Sequence, residues 1–455
     1  MFLSIISGAL LSAAFAPISL WWLAPVALAL HMYVLNRSTH PFINSFLFAL
    51  IFNAIALHWT SIYVGSTPWI ILAVGQALLF LPLGFVKRYS IAVYPFIFLL
   101  LEQVRGRFPF GGFGWLRIAY SQADAPYRGI AAYGGAAGLS AITLCASLVI
   151  LALMNARLTL VPMIPLALLL IPIQAHQVGT VKVLMVQGNV PELGLNFNSR
   201  ATQVFFNHVK ESNRALKLNS DVDFILWPEN AVDVDPFTNS HIKEALNAFD
   251  KPLIVGAVIR ESNEIHNVSI LWTKTSQNIY AKQHLTPFGE YIPLRALARK
   301  ISPFVDMVAD FSPGNTSTLF PVGRAKIAPI ICFELIDDEL VATSARNSNL
   351  IVVQTNSATF GKSSESAQQL AITRIRAIEH GKNILSVSTT GTSAHIDANG
   401  DVLQASAMHI PAHLFATPDL LTNQTARDKV GQWALVGAFI WLWILSRSGK
   451  YRNRR

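Results

Sequence analysis

Residues 1 to about 175 are apolar almost without interruption. From about 180 to 420 the pattern changes to short apolar runs separated by polar and Gly/Pro segments, and a last apolar run, Val430 to Leu445, precedes a basic end. A bilayer-spanning helix takes roughly 20 mostly apolar residues, about 17 to 25 in practice. Polar and Pro/Gly breaks divide the first part into seven such segments, near 2–16, 20–35, 42–60, 68–86, 89–104, 130–153 and 158–175. The expectation is an α-helical transmembrane bundle of about eight spans. It comprises an N-terminal bundle over 1–175, a C-terminal transmembrane helix over 428–446 and a basic cytoplasmic tail over 447–455. The first segment has no basic start and so reads as a retained helix, not a cleaved signal peptide.

The stretch 180–420 reads as an α/β domain outside the membrane. VKVLMVQ (181–187), DFILW (223–227), PLIVGAVI (252–259), NVSILW (267–272), KIAPIIC (326–332), LIVVQT (350–355) and ILSVSTT (384–390) are short and rich in Ile and Val. Runs of that kind predict buried strands. Residues 199–218 and 365–380 predict helices, and the alternation points to layered α/β packing. Segments 286–320 and 356–365, rich in Pro, Gly and Ser, are candidate lid loops.

Composition strengthens the membrane reading. Only 13% of the 455 residues are charged and 52% are hydrophobic, against about 25% charged in ordinary soluble domains. The net charge of +9 suggests nucleic acid or anionic lipid until its placement is considered. Arg447, Lys450, Arg452, Arg454 and Arg455 crowd the end beside an apolar run, which marks membrane orientation and gives no reason to invoke nucleic acid. With the N-terminus in the cytoplasm, the loops holding Arg37, Lys87 with Arg88, and Arg157 are cytoplasmic, as is the tail. The α/β domain then lies on the far side. The loop 105–129, with Arg105, Arg107, Arg117 and Arg128 among aromatic residues, breaks the rule. It reads as an interfacial segment whose arginines meet lipid phosphates, as a solvated loop, or as a miscounted helix.

Three polar residues stand at predicted strand ends. Cys332 follows KIAPII, Glu229 follows DFILWP, and Lys282 lies in YAKQHLTPFGEYIP with Glu290 behind it. A thiol is a strong nucleophile once deprotonated, a carboxylate can take its proton, and an ammonium can stabilise an oxyanion. Taken singly, each also fits a structural role: a packed core cysteine, a loop acid, a surface charge. His284 beside Lys282 fits a structural role or a tuning one. The other cysteine, Cys145, lies in an apolar run and is no partner for a disulfide with Cys332. None of the twelve histidines forms an H-E-x-x-H pattern, no G-x-S-x-G is present, and G-G-F-G at 111–114 lacks the setting of a nucleotide loop. No metal and no cofactor is called for.

In order, W-P-E (227–229), K-x-H-L-x-P-F-G-E-Y-x-P (282–293) and I-C-F-E (331–334) resemble the Glu–Lys–Cys signature of the nitrilase, or carbon-nitrogen hydrolase, superfamily. Joined to an N-terminal membrane bundle, they resemble the apolipoprotein N-acyltransferase family over essentially the whole chain. V-Q-G-N (186–189), T-N (355–356), F-G (360–361), R-A-I-E (376–379) and T-T-G (389–391) belong to the same likeness.

That resemblance implies a nitrilase-like α-β-β-α sandwich over 180–420. It assigns Glu229 as base, Lys282 as oxyanion-stabilising lysine and Cys332 as nucleophile, with Glu290 and Glu334 in support. Phe333, Phe197 and Asn356 are the implied substrate-binding positions. It implies a membrane phospholipid as acyl donor and diacylglyceryl-modified apolipoproteins as acceptors. The implied location is the bacterial inner membrane, with the catalytic domain periplasmic. Oligomeric state is left open, a monomer being compatible with the sequence. A membrane-tethered hydrolase of a small amide or nitrile would use the same triad and stands as the alternative. The sequence departs from the family pattern at Phe333, where Tyr is common, and at Ser357 and Thr359, where T-N-D-x-W-F-G becomes T-N-S-A-T-F-G. A Trp usual after V-Q-G-N-V-P is also missing, Phe197 being the nearest aromatic.

Overall fold

A computed structural model describes residues 1–62, 65–156, 159–190, 201–300, 305–306 and 308–447. Arg157 of the expected cytoplasmic loop, Phe197 and residues 448–455 of the basic tail lie outside the described residues. The chain divides into one unit of Met1–Ile173 with Thr425–Arg455 and another of Gln174–Gln424.

The first unit is helical: α1 (Phe2–Ala14), α2 (Leu23–Arg37), α3 (Pro41–Ala56), α4 (Ser66–Leu79), α5 (Tyr94–Arg105), α6 (Ala131–Met154), α12 (Ala426–Val430) and α13 (Trp433–Arg447). Among the described residues, Ser66–Arg88 and Arg128–Met154 are long and apolar enough to cross a membrane. Phe2–Ala14, Pro41–Ala56, Val161–Leu170 and Trp433–Arg447 are apolar but shorter. The expected segment 158–175 contributes a 3₁₀ helix at Val161–Leu170. Pro162 and Pro165 lack the N–H that a regular α-helix would need there.

Small and hydroxylated residues let the helices meet. A side-chain carbon at Gly8 would stand 2.4 Å from the Phe48 carbonyl oxygen, so α1 and α3 approach closely only because of glycine. The Ser4 hydroxyl donates to Asn44 Oδ1 at 2.7 Å and the Ser7 hydroxyl to the Ala27 carbonyl at 2.6 Å. Arg105 and Arg117 correct the expectation of lipid-facing arginines, since both are buried. Arg105 donates to the Leu116 carbonyl and lies over the Phe80 ring, while Glu102 Oε1 accepts the Ile118 N–H at 2.7 Å. The loop folds back onto its own helix through these two contacts. Phe108 and Phe110 remain exposed.

In the second unit a small ribbon, β1 (Gln177–Thr180) with β14 (Asp419–Leu421), accompanies two six-stranded sheets. One sheet holds β2 (Val183–Gln187), β3 (Phe224–Leu226), β4 (Leu253–Glu261), β5 (Glu264–Trp272), β6 (Gln277–Ala281) and β13 (Ala412–Ala416), in the order β13-β2-β3-β4-β5-β6. The other holds β7 (Phe320–Val322), β8 (Ala325–Ile331), β9 (Leu350–Thr355), β10 (Ile384–Ser388), β11 (Ala394–Ile396) and β12 (Val402–Ala405), in the order β12-β11-β10-β9-β8-β7. Each has a parallel centre, β2-β3-β4 and β8-β9-β10, flanked by antiparallel strands. Parallel neighbours need crossovers. Helices α7 (Ala201–Leu218), α8 (Ser240–Asn247), α10 (Asp338–Arg346) and α11 (Glu365–His380) supply them, and a short α9 (Arg295–Ala298) lies in the 286–320 segment.

The two-residue side-chain period sorts each strand. Val183, Met185, Phe224 and Leu226 share one core with Ile327, Ile331, Leu350 and Val352 of the other sheet. Leu184, Val186 and Ile225 face the opposite way, onto Phe205, Ala215, Ile242 and Leu246 of α7 and α8. With α10 packed on β8 and α11 on β10, the layers run α-β-β-α. The continuous apolar runs read as strands are those buried on both faces, as all six residues of β9 are.

Candidate active site

Three strands end at the same place in this sandwich. In sheets with parallel centres, ligands gather beyond the carboxyl ends of strands. Glu229 lies just past β3, Lys282 directly past β6 and Cys332 directly past β8. Two glycines allow the backbone to close around them. A side-chain carbon on Gly256 of β4 would come within 2.5 Å of the Glu229 Cα, and one on Gly314 within 2.3 Å of the Ala281 carbonyl beside Lys282. Gly256 instead donates its N–H to the Pro228 carbonyl at 3.2 Å, and Gly314 to the Lys282 carbonyl at 2.8 Å. From the other sheet, Gln354 Nε2 donates to the Trp227 carbonyl at 2.7 Å, tying the strand before Glu229 across the core.

Glu229, Lys282 and Glu290 form one buried cluster. Lys282 Nζ lies 2.8 Å from Glu290 Oε2, 3.3 Å from Glu229 Oε1 and 3.3 Å from Thr286 Oγ1. Asn267 of β5, absent from the sequence reading, bridges the two acids: Nδ2 donates to Glu229 Oε1 at 2.8 Å and to Glu290 Oε1 at 2.6 Å. Glu290 Oε2 also accepts the Thr286 N–H at 2.8 Å.

These contacts push the two carboxyls apart. Burial alone would raise Glu290, but Lys282, Asn267 and the Thr286 N–H hold it below the usual glutamate range. Burial raises Glu229 above that range, with Lys282 opposing and Glu290 adding to the rise. Burial would lower Lys282, yet Glu290 and Glu229 outweigh it and keep the ammonium charged. Glu290 is therefore held as the charged partner of Lys282, while Glu229 binds a proton more readily.

Asn267→Ala tests this division. Each acid would lose a donor, so Glu229 would rise further and need a higher pH to act as a base. We expect a roughly 10–100-fold slower reaction at Cys332, with the rising limb of its pH profile moved to higher pH. An unmoved profile would rule out control of Glu229 by Asn267.

Cys332 is half-buried, one residue beyond the end of β8, and has φ 49°. That left-handed conformation is costly for a side chain with Cβ and is a recurrent feature of functional turns. It opens a 3₁₀ turn, Cys332–Ile336, in which the Ile331 N–H donates to Glu334 Oε2 at 2.7 Å. The other Glu334 oxygen accepts from the Gln283 N–H at 2.7 Å and the Tyr280 hydroxyl at 2.8 Å. Glu334 thus clamps the Cys332 turn to the strand end that carries Lys282. Burial lifts its carboxyl to about 7.

Gln369 of α11 donates its Nε2 to Cys332 Sγ at 3.5 Å, a contact the sequence did not signal. Burial lifts the thiol well above its ordinary value, Glu229 adds to this, and Lys282 works against it. Burial thus favours the protonated thiol over the thiolate. The arrangement can form a covalent bond to sulfur and stabilise an oxyanion beside it.

The remaining predicted positions fall at the margin. Phe333 is buried edge-on against His284, ring centroids 5.4 Å apart, and His284 Nδ1 lies 2.9 Å from Asp337 Oδ2. Asn356 spends its Oδ1 on the Ala358 N–H at 3.1 Å and the Thr389 hydroxyl at 2.8 Å. This shapes the loop and leaves less of the side chain for a substrate.

The sequence of residues 7–149 matches the model of the apolipoprotein N-acyltransferase N-terminal domain, and residues 185–409 match that of carbon-nitrogen hydrolases. The chain is similar to an apolipoprotein N-acyltransferase of Mycolicibacterium smegmatis, 32% identical over 98% of this chain and 85% of that one. It is similar to another from Shewanella oneidensis, 28% identical over 95% and 92%.

Proposed function

Because the chain belongs to the apolipoprotein N-acyltransferase family, we propose that it moves an acyl chain from a membrane phospholipid to the α-amine of an N-terminal diacylglyceryl-cysteine, through a thioester on Cys332. The observation that carries the mechanism is the buried Glu229–Lys282–Glu290 cluster around Asn267, with the strained Cys332 turn within range of its charges.

In the first half, Glu229 takes the Cys332 proton as sulfur attacks the phospholipid ester carbonyl. Lys282 stabilises the oxyanion. The C–O bond breaks, and Glu229 returns the proton to the leaving lysophospholipid hydroxyl. In the second half the amine attacks the thioester, the C–N bond forms and the C–S bond breaks. Glu290 keeps Lys282 charged and oriented, and Glu334 positions Cys332 against it.

Both substrates are held in lipid, so a helical unit that keeps the pocket at the bilayer surface has a physical purpose. The proposed setting is a bacterial cytoplasmic membrane crossed about eight times, with the catalytic unit on the far side and the C-terminus cytoplasmic.

Intact mass spectrometry after mixing with phospholipid tests the reading. One acyl group should appear on the Cys332 peptide and be released by hydroxylamine. A protein that stays unmodified, yet hydrolyses soluble amides, would instead be a membrane-tethered hydrolase with water as acceptor.

A further inference from the structure

The mechanism above leaves one buried acid at the site unused. Glu365 is the first residue of α11, and Gln369, one helical turn on, donates to the Cys332 sulfur. Residues four apart share a helix face, so Glu365 is carried on the face that meets the nucleophile. Its charge bears on both Cys332 and Glu229. The residue is 2% exposed, Ser357 hydrogen-bonds to its side chain, and Oε2 has no partner among the described residues. A buried carboxyl oxygen without a donor is costly, and a cationic ligand would satisfy it. Ser357 is also the position where this chain has a hydroxyl in place of the acid in T-N-D. Glu365 reaches that spot from the facing helix and supplies a carboxyl there.

We infer that Glu365 receives the α-ammonium of the acceptor and removes the proton that keeps it from attacking the thioester. The inference rests on the acyl-transfer reading and concerns only its second half. The N-terminal ammonium hydrogen-bonds to Oε2 and gives up one proton to the carboxylate. The free amine then attacks the thioester carbonyl, and the C–N bond forms as the C–S bond breaks. Glu229, again a carboxylate after the first half, takes the second nitrogen proton and passes it to the departing thiolate. Glu365 releases its proton to solvent when the amide leaves. Burial lifts this carboxyl to about 8, with Glu229 adding and Ser357 opposing. That moves it toward the range of an α-amino group, about 7.7–8.0.

Glu365→Gln keeps the shape and removes the proton acceptor. Acylation of Cys332 by phospholipid and transfer from the acyl-enzyme to a diacylglyceryl-cysteinyl peptide are timed separately by mass spectrometry. We expect transfer to slow about 100-fold, acylation to change far less, and Glu365→Asp to recover much of the transfer rate. Equal slowing of both halves, unchanged transfer, or an aspartate no better than glutamine would overturn the inference. Absence of an acyl adduct on the unaltered protein would overturn the acyl-transfer reading itself, a separately visible result.

Discussion

Cys332→Ala should abolish acyl transfer and leave the fold standing. In the proposed mechanism every turnover passes through a bond to this sulfur, so its loss removes both half-reactions, a fall of about 10⁴-fold or more. Stability should hardly change, because alanine keeps Cβ and inherits the same φ of 49°. Cys332→Gly separates strain from chemistry. Left-handed backbone costs a residue with Cβ roughly 1–2 kcal/mol, and glycine escapes that cost. The greater freedom of glycine in the unfolded chain takes back about 0.4–1 kcal/mol. The glycine protein should melt at or slightly above the wild-type temperature and form no acyl adduct. Transfer by Cys332→Ala above the uncatalysed background would remove the nucleophile assignment, whatever its melting temperature.

What the chain revealed in advance followed local pattern. β9 and α11 coincide with runs 350–355 and 365–380, because one is a fully buried strand and the other an uninterrupted helix. Cys332 was read as the last residue of its strand, while the structure places it one step beyond, in a turn whose backbone sign no apolar run encodes. Glu229, Lys282, Glu290 and Cys332 stood out by motif, and the fold brings the first three within hydrogen-bonding distance. Asn267, Gln369 and Glu365 did not stand out. Each belongs to a regular strand or helix, and its meaning arises only from register. Asn267 is set beside Lys282 because the Lys282 N–H donates to its carbonyl at 2.9 Å. Gly256 and Gly314 were equally silent, their value being the backbone that approaches them. The interfacial reading of Arg105 and Arg117 failed for a related reason: charge and aromatic content do not reveal that a loop folds back on its own helix.

Lys282→Met should remove most of the activity and change how stability responds to pH. Methionine matches the length of the lysine stem but brings no charge to the developing oxyanion, and a loss of about 10³-fold or more is expected. The structural consequence is sharper. Lys282 is the cation in contact with two buried carboxylates, at 2.8 and 3.3 Å, and removing one partner of a buried ion pair typically costs about 3–5 kcal/mol. The cluster can limit that cost by binding protons. In the wild type Glu290 is held below its ordinary value, so its contribution to stability is present above the unfolded glutamate pKa and fades as pH falls through the folded one. Without the ammonium both acids rise above that unfolded value. Their neutral forms are then tolerated at low pH, and stability is lost as pH climbs through the raised values. The melting-temperature deficit of Lys282→Met against wild type should therefore be small near pH 5 and grow toward pH 8. Lys282→Arg, which keeps the charge with a bulkier head, should restore much of the stability at pH 8 and little of the activity. Equal deficits at both pH values would mean that Lys282 does not neutralise the acids around it. The division of labour between Glu290 and Glu229 would then have to be abandoned.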